Sequence, residues 1–527
     1  MGEAHDLSNV PNDVLLCDTF SQVPEDGSAL SLLLTRTQLF LQSLSESPST
    51  SFQLSDCVSC RAFRGKDPGD IGGYFTVIFY PLQRTLGAAT YRTRVSRTFR
   101  TETTRDREQN MNLAKTWAQK ICQLSGEQGQ PRPLPSPARY LVLLNPFGGT
   151  GKALTLFETH VIPMLTEANA HFTLLVTERP NQARELVQEQ DLSTWDAIVV
   201  MSGDGLMFEV INGLMERPDW ATAIKKPVSI LPGGSGNALA ASINHYSGHQ
   251  QVKGTKLLTN CAFILCKGHP APLDIVSLTT SSQQRIFSFL SLAWGFVSDV
   301  DIESEKYRFM GYARFSIGTF IRLTALRSYR GRISYLPAIS ASENKDTTSN
   351  IPGSPNSVNS SSSDNIKPQV LEDSLLVPLD QPVPSHWHTV EDQFVLVLAL
   401  CQSHLGAEHF TAPMVEGPGE GNIHLFYATS RISRISLIKL FIAMEKGTHL
   451  DEEIPHLTHV PVVAFRIEPS ESTGIMTVDG EVIQCSPIQG QIHQGLGRVI
   501  SMGQGNSYDT PTVTKTVFTN NSRDVQP

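Results

Sequence analysis

Tyr140-Leu141-Val142-Leu143-Leu144-Asn145-Pro146-Phe147-Gly148-Gly149-Thr150-Gly151-Lys152 is an apolar, β-rich run that breaks into a glycine-rich turn. The pattern returns at 197–201, followed by Ser202-Gly203-Asp204-Gly205, and at 228–231, followed by Pro232-Gly233-Gly234-Ser235-Gly236-Asn237. The first two turns lead into helical spacing, at 153–168 and at 206–215, where Leu206, Val210 and Leu214 share one stripe. A strand at 172–176 and a helix at 181–189 stand between them. This alternation predicts a parallel sheet with helices on both faces and ligands at the strand C-terminal ends. Glycine turns that open onto helix N-termini offer backbone N–H groups to phosphate. Three in series, with a carboxylate inside the middle one, point to a nucleotide-using phosphotransferase.

The first turn falls short of a Walker A loop. Pro146 stands where that pattern needs Gly, and Ala153 stands where it needs the magnesium-binding Ser or Thr. In the second turn, Asp204 reads either as a helix cap or as a base that takes a proton from an attacking hydroxyl. Its two flanking glycines favour close approach of a ligand.

At 527 residues the chain exceeds one core, so several domains are expected. A net charge of −9 gives no global attraction to nucleic acid or anionic membrane, so any membrane contact must be a local patch. No apolar run approaches the roughly 20 residues of a membrane span, and the most apolar stretch, 394–401, reads as a buried strand. Met1-Gly2-Glu3-Ala4-His5-Asp6 lacks a secretory apolar core and matches a myristoylation signal only in part, with Asp6 replacing Ser or Thr. Eight scattered cysteines read as reduced thiols of a cytosolic protein. The lone Cys57-Val58-Ser59-Cys60 lacks the two further ligands zinc requires.

Residues 1–50 read as weakly structured. In 51–127, strand candidates at 74–80 and 90–100 precede a helix with Leu113, Trp117 and Ile121 on one face, which resembles a small pleckstrin-homology-like accessory domain. Arg92, Arg94 and Arg97 there are either a solvated strand face or a contact for anionic lipid. Four prolines within 128–137 mark a linker. Beyond 272 strand-like runs dominate and predict a β-sandwich, interrupted at 340–388 by a Ser/Asn/Pro tract expected to be a disordered insert. Residues 505–527 read as a flexible tail.

The segments Asn145-Pro146-Phe147-Gly148-Gly149, Ser202-Gly203-Asp204-Gly205 and Gly234-Ser235-Gly236-Asn237 resemble the superfamily of diacylglycerol, ceramide and sphingosine kinases. Leu292-Ala293-Trp294-Gly295-Phe296-Val297-Ser298-Asp299-Val300-Asp301-Ile302-Glu303-Ser304-Glu305-Lys306-Tyr307-Arg308 is similar to the sphingosine kinases specifically. So are Gly234-Ser235-Gly236-Asn237-Ala238-Leu239-Ala240, Ile423-His424-Leu425-Phe426-Tyr427 and Val478-Asp479-Gly480-Glu481. The resemblance implies an α/β chain with a Rossmann-like parallel-sheet catalytic domain at 138–272. An antiparallel β-sandwich lipid domain follows at 273–339 and 389–504. It further implies ATP and Mg2+ as cofactors, and sphingosine and other sphingoid bases as substrates, phosphorylated on the primary hydroxyl to sphingosine 1-phosphate. The N-terminal extension favours the longer type of these kinases.

By that resemblance Asp204 is the general base and Asp301 pairs with the lipid's amino group, a charge that ceramide, an amide, lacks. Taken alone, Asp301 reads equally as an ion-pair partner of Lys306 or Arg308. Ser202, Gly203, Phe315 and His424 are expected at the substrate, with Phe315 lining the acyl pocket. Asn145, Pro146, Phe147, Thr177, Glu178, Arg179, Pro180, Asn181, Glu209, Gly234, Ser235 and Gly236 are expected at the nucleotide. Arg308 and Arg314 are expected on its phosphates. Asp479, Gly480 and Glu481 are expected to fold back onto it, although Asp479-Gly480 is also an ordinary hairpin signal. No set of metal-ligating side chains is expected. One departure is Phe208, where the family usually has His.

The stretch 315–327 has the spacing of an amphipathic helix. Periodicity alone allows its apolar side to pack into the core beside solvated arginines; the resemblance implies that Ile317, Phe320 and Ile321 dock on a membrane, beside Arg322, Arg327, Arg330 and Arg332. A cytoplasmic protein recruited peripherally to anionic membranes follows from the second reading. A homodimer, phosphorylation at Ser354 and no nucleic-acid partner complete the expectations. The rivals are ceramide kinase, which the 292–308 string opposes, and a catalytically silent lipid sensor or adaptor.

Overall fold

The computed structural model describes residues 13–24, 29–43, 50–83, 89–126, 137–310, 313–338, 371–451 and 453–503. The tail at 505–527, Ser354 and most of the 340–388 tract lie outside them.

Four parallel strands carry the glycine turns: β1 (Arg139–Leu144), β2 (His171–Val176), β3 (Ala197–Ser202) and β4 (Val228–Pro232), in the order β2-β1-β3-β4. All of β3 and β4, and β1 after Arg139, are buried, which is why they read as unbroken apolar runs. Helix α1 (Asp204–Met215) follows β3, and α2 (Ala238–Tyr246) follows β4. The third glycine turn therefore opens a helix as the other two do.

Past this sheet the strands run antiparallel. His269–Thr280 pairs along its length with Ile488–Ser501. That last strand also pairs with Leu457–Pro469 and, through Val228 and Val499, with the edge of the parallel sheet. One strand thus belongs to both sheets and holds the glycine turns at a fixed distance from the C-terminal half. Three helices fill the space between: α3 (Phe296–Glu303), α4 (Ala313–Thr324) and α5 (Arg434–Lys446). Gly318 lets α4 approach α3 closely, since a Cβ there would sit 3.1 Å from Ser304 and 3.2 Å from the Val300 carbonyl.

Two expectations about order are corrected. Residues 1–50 are not weakly structured where described: Leu16–Val23, Ala29–Leu34 and Gln38–Ser43 are strands of a seven-stranded antiparallel sheet that also includes Gly73–Phe79 and Val95–Thr101. Phe20, Leu32, Leu34, Leu39 and Leu41 are buried in one cluster with Trp117 of the closing helix Arg107–Leu124, so pairing these strands buries what local polarity disguised. Likewise the end of the expected disordered insert is ordered. Buried Arg466 donates to the carbonyls of Val377, Pro378 and Gln381, and Asp373 accepts from Ser277 and Arg285.

The basic strand is also reassigned. Arg92 is 4% exposed; its guanidinium reaches Asp56 at 2.6 Å and His249 at 3.2 Å and lies 3.7 Å over the Phe263 ring. Arg94 pairs with Glu167 at 2.6 Å. Phe263, His249 and Glu167 belong to the half built on the parallel sheet, so these arginines fasten the N-terminal sheet to it and Arg92 is not available to lipid. Burial and the Arg92 charge push His249 down to about 3, leaving a neutral ring that accepts from Arg92. Arg92→Met should strand the buried Asp56 carboxylate and lower the unfolding free energy in urea by about 3–5 kcal/mol. Arg97→Met, whose head group reaches only the Ser96 carbonyl, should change it by less than about 0.5 kcal/mol.

Candidate active site

The three glycine turns meet where the parallel strands end. A Cβ on Gly203 would run into the Gly236 carbonyl, and one on Gly234 into the Gly203 nitrogen. Gly149, at φ +57°, would place its Cβ 2.8 Å from the Gly234 carbonyl carbon. Main chain lies directly on main chain, and hydrogen bonds from Gly233 N to Ser202 O (2.9 Å) and Asp204 N to Gly236 O (3.2 Å) lock the turns together.

Asp204 begins α1, yet its carboxylate caps the next helix. Oδ2 accepts from Ala238 N at 2.7 Å and Oδ1 from Leu239 N at 3.1 Å. The cap expected from the sequence is thus real but serves α2. Burial pushes the carboxyl up to about 6 against those two bonds, and the nearby Asp301 charge adds to the rise. Glu209, one turn along α1, accepts from Ala183 N at 3.1 Å and orients the strand-to-helix turn after β2.

The hairpin Met476–Val478 to Glu481–Ile483 turns through Asp479 (φ +51°) and Gly480 (φ +88°), both with the positive φ a type I′ turn demands. The hairpin expected from Asp479-Gly480 is thus formed. The Asp479 carboxylate accepts from Ser288 Oγ (2.6 Å) and from the amides of Phe289, Leu290 and Ser291. Burial still pushes it up to about 7. So anchored, the hairpin lays Glu481 on the start of α1: a Cβ on Gly205 would meet its Oε1 at 2.5 Å.

Asp301 on α3 is held from α4. Arg314 Nη2 reaches its Oδ1 at 3.0 Å, and Nη1 reaches its carbonyl at 3.2 Å and Ser304 Oγ at 3.3 Å. The buried guanidinium, expected on phosphate, therefore sets the orientation of the carboxylate expected on the amine.

A single cavity of about 670 Å³ joins these features. Its walls include Asn145, Phe147, Thr177, Glu178, Arg179, Pro180, Ser202, Gly203, Asp204, Glu209, Gly234, Ser235, Gly236, Asp301, Arg314, Asp479, Gly480 and Glu481. Pro146, Asn181 and His424 are not among them. His424 is buried among the antiparallel strands instead, its Nδ1 3.1 Å from His459 Nε2 and its ring stacked on that histidine, so the structure does not bring it to this cavity. The side chains of Arg308 and Phe315 lie outside those described. Phe208 is absent from the lining and packs against both main cores.

The sequence reading missed much of the apolar end of this cavity. Phe296, Val297, Val300, Thr319, Phe441 and Met444 line it together with the Leu405–His409 loop. The α5 contributors were legible in principle, because Leu437, Leu440 and Met444 recur at helical spacing. The loop carries no comparable signal.

Residues 139–278 match the diacylglycerol kinase catalytic domain. The chain is 56% identical to human sphingosine kinase 1 over 361 residues, covering 68% of this chain and 90% of that protein. It is 37% identical to human sphingosine kinase 2, covering 92% of this chain and 91% of that protein. Sphingosine kinase 1 of Arabidopsis thaliana is 34% identical, over 70% of this chain and 72% of the relative.

Adding one methyl at Gly234 must displace the Gly203 main chain. Gly234→Ala should weaken binding of a fluorescent ATP analogue by at least about tenfold, roughly 1.4 kcal/mol. Gly417→Ala, with nothing within 4 Å of the added carbon, should leave it unchanged.

Proposed function

The chain belongs to the sphingosine kinase family, and on that premise we propose that it phosphorylates the primary hydroxyl of sphingosine and related sphingoid bases, giving sphingosine 1-phosphate. The observation that carries this reading is one cavity lined by the glycine cradle and Asp204, by the nearby Asp301, and by apolar side chains of α3 and α5. An amphiphile with a cationic head and a single long chain fits that combination of polar and apolar lining.

The residues present fit a nucleotide. The turns leave no room for side chains where a phosphate chain would approach, and backbone amides at helix starts favour anions. ATP, bound as its Mg2+ complex, supplies the transferred phosphoryl group with its charge partly neutralised. Asn145, Thr177, Glu209 and the 234–236 turn would hold it, with Glu481 closing from the hairpin. Asp204, kept near 6 by burial, is poised to take the proton of the attacking hydroxyl. Asp301, oriented by Arg314, would hold the substrate ammonium and discriminate against a neutral amide. Phe208 packs against the two cores and is not among the cavity's lining residues, which supports a kinase over a silent adaptor.

The seven-stranded sheet closed by the helix Arg107–Leu124 supports the pleckstrin-homology-like reading of the accessory region. Among the described residues no helix is long and apolar enough to cross a membrane. Exposed Phe320 and Ile321 on α4, with Ile317 half-buried, support peripheral membrane contact.

Asp204→Asn should lower kcat by about 10²–10⁴-fold with little change in ATP affinity; normal turnover would remove its role as base. Only the ionised Asp204 accepts a proton, so kcat/KM should rise with pH, about tenfold per unit below 6, and level off above it. A wild-type profile flat from pH 5 to 8 would contradict this. Asp301→Asn should raise KM for sphingosine more than KM for ATP, and equal increases would sink the ammonium pairing.

A further inference from the structure

Helix α5 is apolar on opposite sides. Leu437, Leu440 and Met444 are buried, while Ile435, Ile438 and Ile442 are 68%, 42% and 60% exposed. The outward isoleucines fall at i, i+3 and i+7 and so form one continuous stripe. A surface helix of a water-exposed protein ordinarily turns polar residues outward. Phe320 and Ile321 on α4 are 70% and 37% exposed. These two helices are tied together, because Arg434 Nε donates to the Leu323 carbonyl at 3.0 Å. Both border the apolar end of the cavity. Thr319 lines it and its neighbour Phe320 faces out; Phe441 lines it and its neighbour Ile442 faces out.

We propose that α5 is the second half of a two-helix membrane-docking face, with an anionic bilayer as its occupant. Charge chooses the occupant. The chain carries −9 as a whole, yet α5 bears Arg434, Lys439 and Lys446 against Glu445 alone. The exposed Lys439 and Lys446 run along one side of the isoleucine stripe, placing basic groups beside an apolar face as on an amphipathic helix lying in a lipid headgroup layer. Two side chains on α4 give little insertion by themselves, and three isoleucines more than double the apolar contact. Seated this way, the molecule opens the apolar end of its cavity toward the layer that holds a single-chain amphiphile. The inference rests on the proposed lipid substrate only in that last respect.

The test is vesicle co-sedimentation of the full chain, without nucleotide or sphingosine, using phosphatidylcholine vesicles with and without phosphatidylserine. Ile435→Ser/Ile438→Ser/Ile442→Ser should reduce partition onto the anionic vesicles by at least about tenfold, comparably to Phe320→Ser/Ile321→Ser. Its urea unfolding should match the wild type, since these side chains are exposed. Raising salt, or replacing Lys439 and Lys446 by Gln, should weaken the wild-type interaction. Wild-type partition retained by the triple variant overturns the proposal. So does a change of oligomer size in light scattering with unchanged partition, which would assign the stripe to a second copy of the chain. Isoleucine-dependent vesicle binding in a protein that fails to phosphorylate sphingosine would support the docking face while sinking the proposed function.

Discussion

Main chain pressed against main chain at Gly149, Gly203 and Gly234 is the constraint on which the site depends. Only residues without a Cβ permit this approach, and only parallel strands bring three such turns to one end of a sheet. The contact fixes where α1 and α2 begin, and hence where Asp204 must sit. Its carboxylate is then committed to the amides of Ala238 and Leu239, so the turn after β3 and the helix after β4 become one unit. The acid group that makes chemistry conceivable is also a structural cap, and the raised proton affinity comes from the burial this double role imposes.

The second half of the cavity is positioned by charge rather than by glycine. Arg314 cannot stay buried without an anion, and Asp301 supplies it. That pair links α3 to α4, while Gly318 allows their close crossing. Asp479 does similar work for the returning hairpin, where one buried carboxylate gathers four donors and sets Glu481 against α1. Groups expected to meet separate parts of two substrates are therefore mechanically connected, and a change at one of them will be felt at the other.

The N-terminal sheet is not a loose appendage. Arg92, stacked over Phe263 and paired with Asp56, makes its attachment a buried polar contact that has no good half-formed state. Arg92 and Arg94, two of the three arginines that looked like a lipid-facing stripe, are consumed by this attachment, while α4 and α5 carry exposed apolar side chains.

Asp301 and the residues expected at the nucleotide followed from the family resemblance alone; the sequence pattern by itself determined the parallel α/β core, the three turns with Asp204 in the middle one, and the Asp479-Gly480 hairpin. These depend on local rules: fully buried parallel strands are continuously apolar, and glycine marks close approach or positive φ. Tertiary structure alone decided the rest. It showed that Asp204 caps α2 rather than α1, that Arg314 meets Asp301, and that Arg92 turns inward. It moved His424 away from the cavity, built strands from residues 16–43, and put Phe441 and Ile442 on opposite sides of one helix wall. The physical reason is common to all of these. An ionised, aromatic or aliphatic side chain looks the same in the sequence whether its partner is solvent, lipid or a residue 171 positions away, such as Phe263 beneath Arg92. Folding selects among these partners through the cost of leaving a buried group unpaired.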